Sequence, residues 1–260
     1  MPELIEVELY RSAAERTIGR AITAVHTPDP WFLKDGLDGS TASALVGLRV
    51  ASARRHGKLL VLDLSDTTRL GLRFGMTGRL VVDGEAPVDE LLYGPARTSN
   101  AAPHWVRFAL DLDGGRLELI DPRRLGGVTL DPDESALGPD AATLRVAELR
   151  PALESSRALK AVLLDQSRVA GLGNLLVDET LWRAGLDPTR PADGLSSAEQ
   201  RVLARSVTTT VRLLSRRGGS HLGDLQDSRE RGGACPRCGS ALTRATVGGR
   251  TTYWCPAEQE

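Results

Sequence analysis

The two ends of this 260-residue chain carry residues whose types and spacing suit chemistry. At the start, Pro2 follows the methionine, a small penultimate residue of the kind that permits Met1 removal, and would then present a secondary amine. An α-amino group, with a pKa of about 7.7 to 8.0 against about 10.4 for lysine, is partly unprotonated at neutral pH and so nucleophilic. Added to a sugar C1′, such an amine gives an iminium that is cationic without a further proton, an electron sink for β-elimination. Glu3 beside it is placed to act as general acid, and Glu6, three residues on, shares its helix face. Taken alone, Pro2-Glu3 reads as a plain helix start. At the other end all three cysteines cluster as Cys235, Cys238 and Cys255, within Cys-Pro-Arg-Cys-Gly and Tyr-Trp-Cys-Pro. An odd, clustered count without a secretory signal points to a metal rather than to disulfides.

The elements that must position these residues fall into two halves. Val7, Tyr10, Ala14 and Ile18 place one apolar stripe on a first helix. From about residue 21 to 130 the pattern turns to short β-branched and leucine-rich runs, namely 59–64, 69–74, 80–82, 106–112 and 116–120, with Asp113-Gly114-Gly115 joining the last two as a hairpin. An acidic, proline-containing linker spans about 131–140, after which the chain reads as helical: 159–165, a glycine-punctuated turn Ala170-Gly171-Leu172-Gly173, then 174–183. Helix, short glycine turn, helix is a DNA-binding arrangement and also a common structural hairpin. A third helix starts near Ser196, with Ser197 and Gln200 allowing a capping box or a shifted relative, and carries the stripe Leu203, Val207, Val211 and Leu214 up to Arg216-Arg217-Gly218-Gly219.

Composition narrows the class. The chain is 41% hydrophobic and 26% charged, which is ordinary globular material, and no apolar run reaches the roughly 18 to 20 residues of a membrane span. A soluble, intracellular, cytoplasmic and nucleoid-associated protein is expected. The net charge of −1 excludes a globally basic nucleic-acid coat, yet residues 201–250 hold 10 arginines and 3 acids, a local surplus that suits a polyanion. Arginine outnumbers lysine 30 to 3, so a site needing a lysine amine has only Lys34, Lys58 and Lys160 to choose from.

Taken together, the opening Met1-Pro2-Glu3-Leu4-Ile5-Glu6-Val7-Glu8, the Gly171-Leu172-Gly173-Asn174 turn and the terminal Cys-x2-Cys resemble the formamidopyrimidine-DNA glycosylase and endonuclease VIII family, across nearly the whole chain. Arg55-His56-Gly57-Lys58, Gly75-Met76-Thr77-Gly78-Arg79-Leu80, Asp121-Pro122-Arg123-Arg124-Leu125-Gly126 and Gly248-Gly249-Arg250-Thr251 extend it in the same order. The resemblance implies that Pro2 is the nucleophile, that Glu3 is the acid that opens the deoxyribose ring, and that Glu6 supports proton transfer. It implies that Lys58, on the strand after Arg54-Arg55, meets phosphate and assists elimination, and that Asn174 meets phosphate at a helix start, where backbone N–H groups and the dipole favour an anion. Arg250 at the tip of the cysteine hairpin would be a phosphate or minor-groove arginine. Arg124 and Lys160 join the DNA-binding set. An enzyme that acts on a base in a duplex must extrude it, and Met76, Arg123 and Leu125 match the trio that fills the gap, with Arg123 reaching the orphaned partner base.

Four departures from the family pattern bear on substrate and metal. Leu125 stands where the formamidopyrimidine branch commonly has an aromatic, and Ile5 stands where a proline is usual. The stretch between Arg217 and Cys235 has 17 residues and no aromatic, where many relatives carry a longer loop that closes over 8-oxoguanine. The expected substrates are therefore oxidised pyrimidines, ring-opened purines or abasic sites. The fourth cysteine is replaced by Glu258, so the implied structural zinc would take Cys235, Cys238, Cys255 and Glu258, with His221 a less well placed substitute. A finger that folds without metal, on a hairpin of residues 246–253, is the other reading.

The fold expected is α+β: an N-terminal β-sandwich with a flanking helix, then a helix-two-turn-helix domain with a β-hairpin, zinc-finger-like tail. The domains expected are 1–130, a linker 131–140, 141–217, and 218–260. The function expected is base excision repair by a monomer on damaged double-stranded DNA: a DNA glycosylase and abasic-site lyase working through a Schiff base on Pro2 and β,δ-elimination. A catalytically idle damaged-DNA-binding module is the alternative. A generic zinc-ribbon RNA binder leaves the N-terminus unexplained.

Overall fold

The N-terminal stripe forms a helix shorter than its spacing suggests. Helix α1 runs Leu4–Ala14, with Val7, Tyr10 and Ala14 fully buried; a 3-10 turn, Glu15–Thr17, follows it, and Ile18 lies beyond both and is exposed, with Gly19 at φ 84° turning the chain next to it. The computed structural model describes residues 2–87 and 103–260. They form two units, one of Pro2 with Glu6–Glu134 and the other of Glu3–Ile5 with Ser135–Glu260. Met1, whose removal the proline chemistry requires, lies outside the described residues.

The first unit is a β-sandwich of two antiparallel four-stranded sheets. Strands β1 (Ile22–His26), β6 (Val106–Leu112), β7 (Gly115–Ile120) and β5 (Arg79–Val82) form one sheet in that order. Strands β2 (Val50–His56), β3 (Leu59–Leu64), β4 (Arg69–Arg73) and β8 (Gly127–Leu130) form the other. Leu60, Leu62, Leu70 and Leu72 from one sheet and Leu80, Phe108, Leu110 and Leu119 from the other share a core with Val7 and Tyr10 of α1. None of these side chains keeps exposed surface, and burying each is worth about 1.5–3 kcal/mol. The hairpin falls where the Asp-Gly pair places it: Leu112 pairs with Gly115, and Gly114 adopts φ 77° between them. Strands β1, β2 and β8 carry too few alternating apolar positions to be read in advance; β2, Val-Ala-Ser-Ala-Arg-Arg-His, buries only Val50 and Ala53.

The second unit is helical, followed by a hairpin. Helices α3 (Val146–Leu153), α4 (Leu159–Leu164), α5 (Asn174–Ala184) and α6 (Ser197–Arg217) bury Leu149, Leu163, Val177, Leu203, Val207 and Leu214 in one core; α2, in the first unit, is the short Gly39–Ser43. The capping box of α6 sits one residue before Ser197 and Gln200: Ser196 accepts from Glu199 N–H, and Glu199 reaches back to Ser196 N–H. Gly218, at φ 101°, closes that helix. Strands β9 (Thr243–Val247) and β10 (Arg250–Trp254) form the terminal hairpin around Gly248-Gly249, which at its open end runs three residues further on β9 and one further on β10 than 246–253 suggests. Among the described residues no helix is long and apolar enough to cross a membrane.

Candidate functional site

Glu3 is seated by the start of α5. Its Oε2 accepts the backbone N–H of Gly173 at 2.9 Å and of Leu176 at 3.1 Å, and its Oε1 that of Leu175 at 2.8 Å. These are N–H groups that a helix start leaves without intrahelical partners, and the dipole favours an anion there. The anion held at this helix start is therefore the Glu3 carboxylate. Space for it exists only because residue 173 is glycine, since a Cβ there would lie 2.3 Å from the Glu3 Cδ. Leu4 N–H donates to the Gly171 carbonyl at 3.1 Å, which fixes the backbone next to Glu3 as well. Asn174, expected at a phosphate, donates from Nδ2 to the Thr251 carbonyl at 3.1 Å, and its Oδ1 is buried without a partner.

Pro2 and Glu6 are buried and Lys58 is half-buried. Lys58 is not on a strand, as its neighbours suggest, but in the two-residue turn Gly57-Lys58 between β2 and β3, where Gly57 takes φ 57° and His56 pairs with Leu59. Arg55, two strand positions before that turn, is held by Glu8 of α1 at 3.0 Å and by the Gly57 carbonyl at 2.8 Å. The turn therefore projects from a fixed base.

The three residues matched to the gap-filling trio sit on two loops of the first unit that one carboxylate fastens together. Asp121 is fully buried; it accepts from Thr77 Oγ1 at 2.5 Å and from the N–H groups of Arg123, Leu125 and Gly126 at 3.1, 2.9 and 2.8 Å. Gly75 lets the loops touch, since a Cβ there would lie 2.4 Å from the Leu125 carbonyl carbon. The result leaves Arg123 exposed, Leu125 52% exposed and Met76 half-buried. Arg124, expected at DNA, has its guanidinium on Asp29, with bonds of 2.6 and 2.7 Å, and itself adopts φ 57°. That hydrogen bond holds the Asp29 carboxyl below the usual carboxylate range against the opposing effect of burial. Nothing in the sequence marks Asp29, and Asp121 is marked only as the first residue of its motif.

Lys160 also departs from expectation. It is fully buried, with Nζ 2.6 Å from Asp178 Oδ1 and 3.3 Å from the Thr251 carbonyl, so the ammonium presents no face to a phosphate. Burial pushes its pKa down, and Asp178 opposes that. Asp178 in turn accepts from Arg229 Nη2 at 2.8 Å and from Tyr253 N–H at 3.3 Å. Lys160, Asn174 and Asp178 thus hold the backbone of β10 at Thr251 and Tyr253, and Arg250, at its start, is exposed and makes no ion pair among the described residues.

The three cysteine Sγ atoms lie within 4.8 Å of one another. Zinc–sulfur bonds of about 2.3 Å in a tetrahedron put two sulfurs about 3.8 Å apart, so the cluster fits three corners of a structural zinc site. Burial works to raise the Cys235 thiol, but hydrogen bonds from Trp182 Nε1 and from backbone N–H groups outweigh it and bring it to about 7; burial pushes Cys255 up to about 11. Glu258 is not part of the cluster: its carboxylate lies 3.7 Å from Arg237 Nη1, and Arg237 is stacked over Trp182 at 3.8 Å. His221 is not part of it either.

Residues 218–234, the stretch without an aromatic, fold against α5. Leu225 is fully buried, Glu179 accepts from the N–H groups of Asp224 and Leu225, and Arg217 and Arg183 both pair with Asp224.

The chain matches three families: formamidopyrimidine-DNA glycosylase N-terminal domain over residues 1–128, formamidopyrimidine-DNA glycosylase H2TH domain over 135–223, and the zinc finger found in FPG and IleRS over 232–257. That zinc-finger match and the cysteine geometry support a structural zinc ion. Formamidopyrimidine-DNA glycosylase of Laribacter hongkongensis is 34% identical, with all of both chains covered, and that of Chloroflexus aurantiacus is 33% identical, with all of this chain and 98% of the relative covered. Among solved structures, Lactococcus lactis Fpg with DNA containing an abasic site superposes with a TM-score of 0.82 at 25% identity over the whole of both chains. The same protein with FAPY-dG-containing DNA gives 0.82 at 25% identity, covering 99% of this chain and all of that one.

Proposed function

Because this chain belongs to the formamidopyrimidine-DNA glycosylase family, we propose that it removes damaged bases from double-stranded DNA and cleaves the resulting abasic site, with Pro2 as nucleophile. The observation that carries the reading is the seat of Glu3, a buried carboxylate held by three N–H groups on the residue next to the amine. The neutral Pro2 amine attacks C1′ and the base departs with the bonding electrons. Glu3 takes the proton that the amine sheds and gives it to O4′, which breaks the C1′–O4′ bond and leaves an iminium. Loss of a C2′ proton sends electrons to that iminium and expels the 3′-phosphate; a second elimination expels the 5′-phosphate. Glu6 supports proton transfer, and Lys58, on its turn, meets the phosphate that leaves.

Met76, Arg123 and Leu125 enter the gap left by the extruded nucleotide, and Arg250 meets the backbone. Lys160 and Asn174 serve DNA binding by holding the hairpin that bears Arg250. Zinc on Cys235, Cys238 and Cys255 supplies a cross-link in the finger and no step of the reaction. With residues 218–234 committed to packing on α5, ring-opened purines, oxidised pyrimidines and abasic sites are favoured over 8-oxoguanine. The domains are 1–130, a linker 131–140, 141–217 and 218–260.

Borohydride trapping on abasic and lesion-containing duplexes tests the mechanism, with intact-mass analysis of the N-terminus and a Pro2→Gly control. A covalent adduct on protein lacking Met1, lost or much reduced in the control, is expected. No adduct on any duplex, with processed Pro2 and measurable binding, leaves a damaged-DNA-binding module.

A further inference from the structure

Trp31 is 65% exposed, the most exposed of the large hydrophobic side chains among the described residues, and Leu125 at 52% is the next. They stand on neighbouring loops of the first unit that are tied at four points. Asp29 takes the Arg124 guanidinium in two bonds; Phe32 is buried so close that a Cβ on Gly126 would lie 3.0 Å from its ring; Leu33 bridges to Val128; and Lys34 N–H donates to the Val128 carbonyl at 2.9 Å. The turn bearing Trp31, Pro30–Phe32, is itself braced: Lys34 Nζ donates to the Trp31 carbonyl at 2.5 Å and lies 4.5 Å from the indole centroid. An exposed indole on a rigid turn, with one cation at its ring and the exposed Arg123 on the adjoining loop, suits one class of partner. Nucleobases offer π-faces on polyanionic strands, and aromatic platforms among cations bind them by stacking.

We propose that Trp31 is a stacking contact for the damaged duplex, engaging a nucleobase beside the gap that Leu125 and Arg123 enter. The proposal rests on the glycosylase reading above. It adds to that reading a residue outside all the sequence motifs, on a strap whose position the Asp29–Arg124 pair sets.

The test uses the full chain and a duplex carrying a tetrahydrofuran abasic analogue, with binding measured over a range of salt concentrations for the wild type, Trp31→Ala and Trp31→Phe. Stacking on one base is worth enough that Trp31→Ala should weaken binding on the order of tenfold, whereas Trp31→Phe keeps most of the affinity. The slope of log K against log salt should not change, because no phosphate-neutralising charge is lost. Thermal melting equal to wild type excludes misfolding as the cause, and at so exposed a position it is expected. Trp31→Ala binding within twofold of wild type, or Trp31→Phe as weak as Trp31→Ala, overturns the proposal. The wild type is also trapped with borohydride on a second duplex that carries a natural, aldehyde-bearing abasic site: if it forms an adduct while Trp31→Ala binds normally, only the Trp31 contact fails. If the wild type neither binds nor traps, the glycosylase reading fails and takes the contact with it.

Discussion

Two buried carboxylates in the second unit are hosted in opposite ways. Glu3 sits in a cradle of backbone N–H groups at the start of α5, and the cradle exists because Gly173 has no side chain. Asp178, one turn into the same helix, sits among side-chain cations, with Lys160 on one oxygen and Arg229 on the other. A backbone cradle fixes position with no long side chain to reorganise, which suits a group that must hand a proton to a defined atom. A cationic cage exchanges hydration for paired charge, and it ties together elements distant in sequence: α4, α5, the 218–234 loop and β10.

The sharpest way to break this contrast is Gly173→Ala. Its backbone, at φ −122°, tolerates alanine, so the change strikes the Glu3 seat and not the turn. If Glu3 transfers protons from that seat, single-turnover adduct formation on an abasic duplex should fall roughly 10²–10⁴-fold, the range for one positioned acid or base, with melting close to wild type. Undiminished adduct formation would show that the seat is not part of the chemistry.

The cationic cage should fail in stability rather than in rate. Lys160→Met leaves Asp178 short of one cation and should cost about 3–5 kcal/mol in denaturant unfolding. Lys160→Met with Asp178→Asn should recover more than half of that, because the amide oxygen still accepts from Arg229 and Tyr253; strictly additive losses would show that the pair is not coupled. The pH dependence has a definite sign. Burial lowers the Lys160 pKa in the folded state, so between that lowered value and the ordinary 10.5 the unfolded chain binds more protons. Stability of the wild type relative to Lys160→Met should therefore rise with pH across that window.

The contrast also explains what was legible in the sequence. Motif order singles out Pro2, Glu3 and Lys58 as candidates, though not the turn that carries Lys58, and periodicity places α1, most strands of the sandwich and the stripe on α6, since side-chain identity alone carries those signals. The scarcity of lysine singles out the Lys160 amine but says nothing of its burial, since Asp178 lies 18 residues away and only the fold brings it close. The backbone cradles of Glu3 and Asp121 could not be read, because N–H groups are present at nearly every residue and only conformation aims several of them at one oxygen. Trp31 belongs to no motif, and its exposure is set by how Phe32 and Asp29 bury beneath it.

Glu258 is a third carboxylate, held more loosely than either: it is partly exposed, pairs at 3.7 Å with the single guanidinium of Arg237 and lies outside the thiol cluster. Three thiolates leave one corner of a tetrahedral zinc without a protein sulfur, so the metal should exchange more readily than from four. Purified protein should contain one zinc per chain, and Glu258→Cys should slow its removal by a chelator on the order of tenfold, since a fourth soft ligand closes the site. Glu258→Ala separates the two roles open to the native residue. If the carboxylate stays with Arg237, the alanine variant should release zinc at the wild-type rate, and the smallest of these effects is then no effect at all. Faster release from the alanine variant would instead place Glu258 on the metal, by a swing of its side chain away from Arg237, and the third carboxylate would join Asp178 as one hosted by a cation.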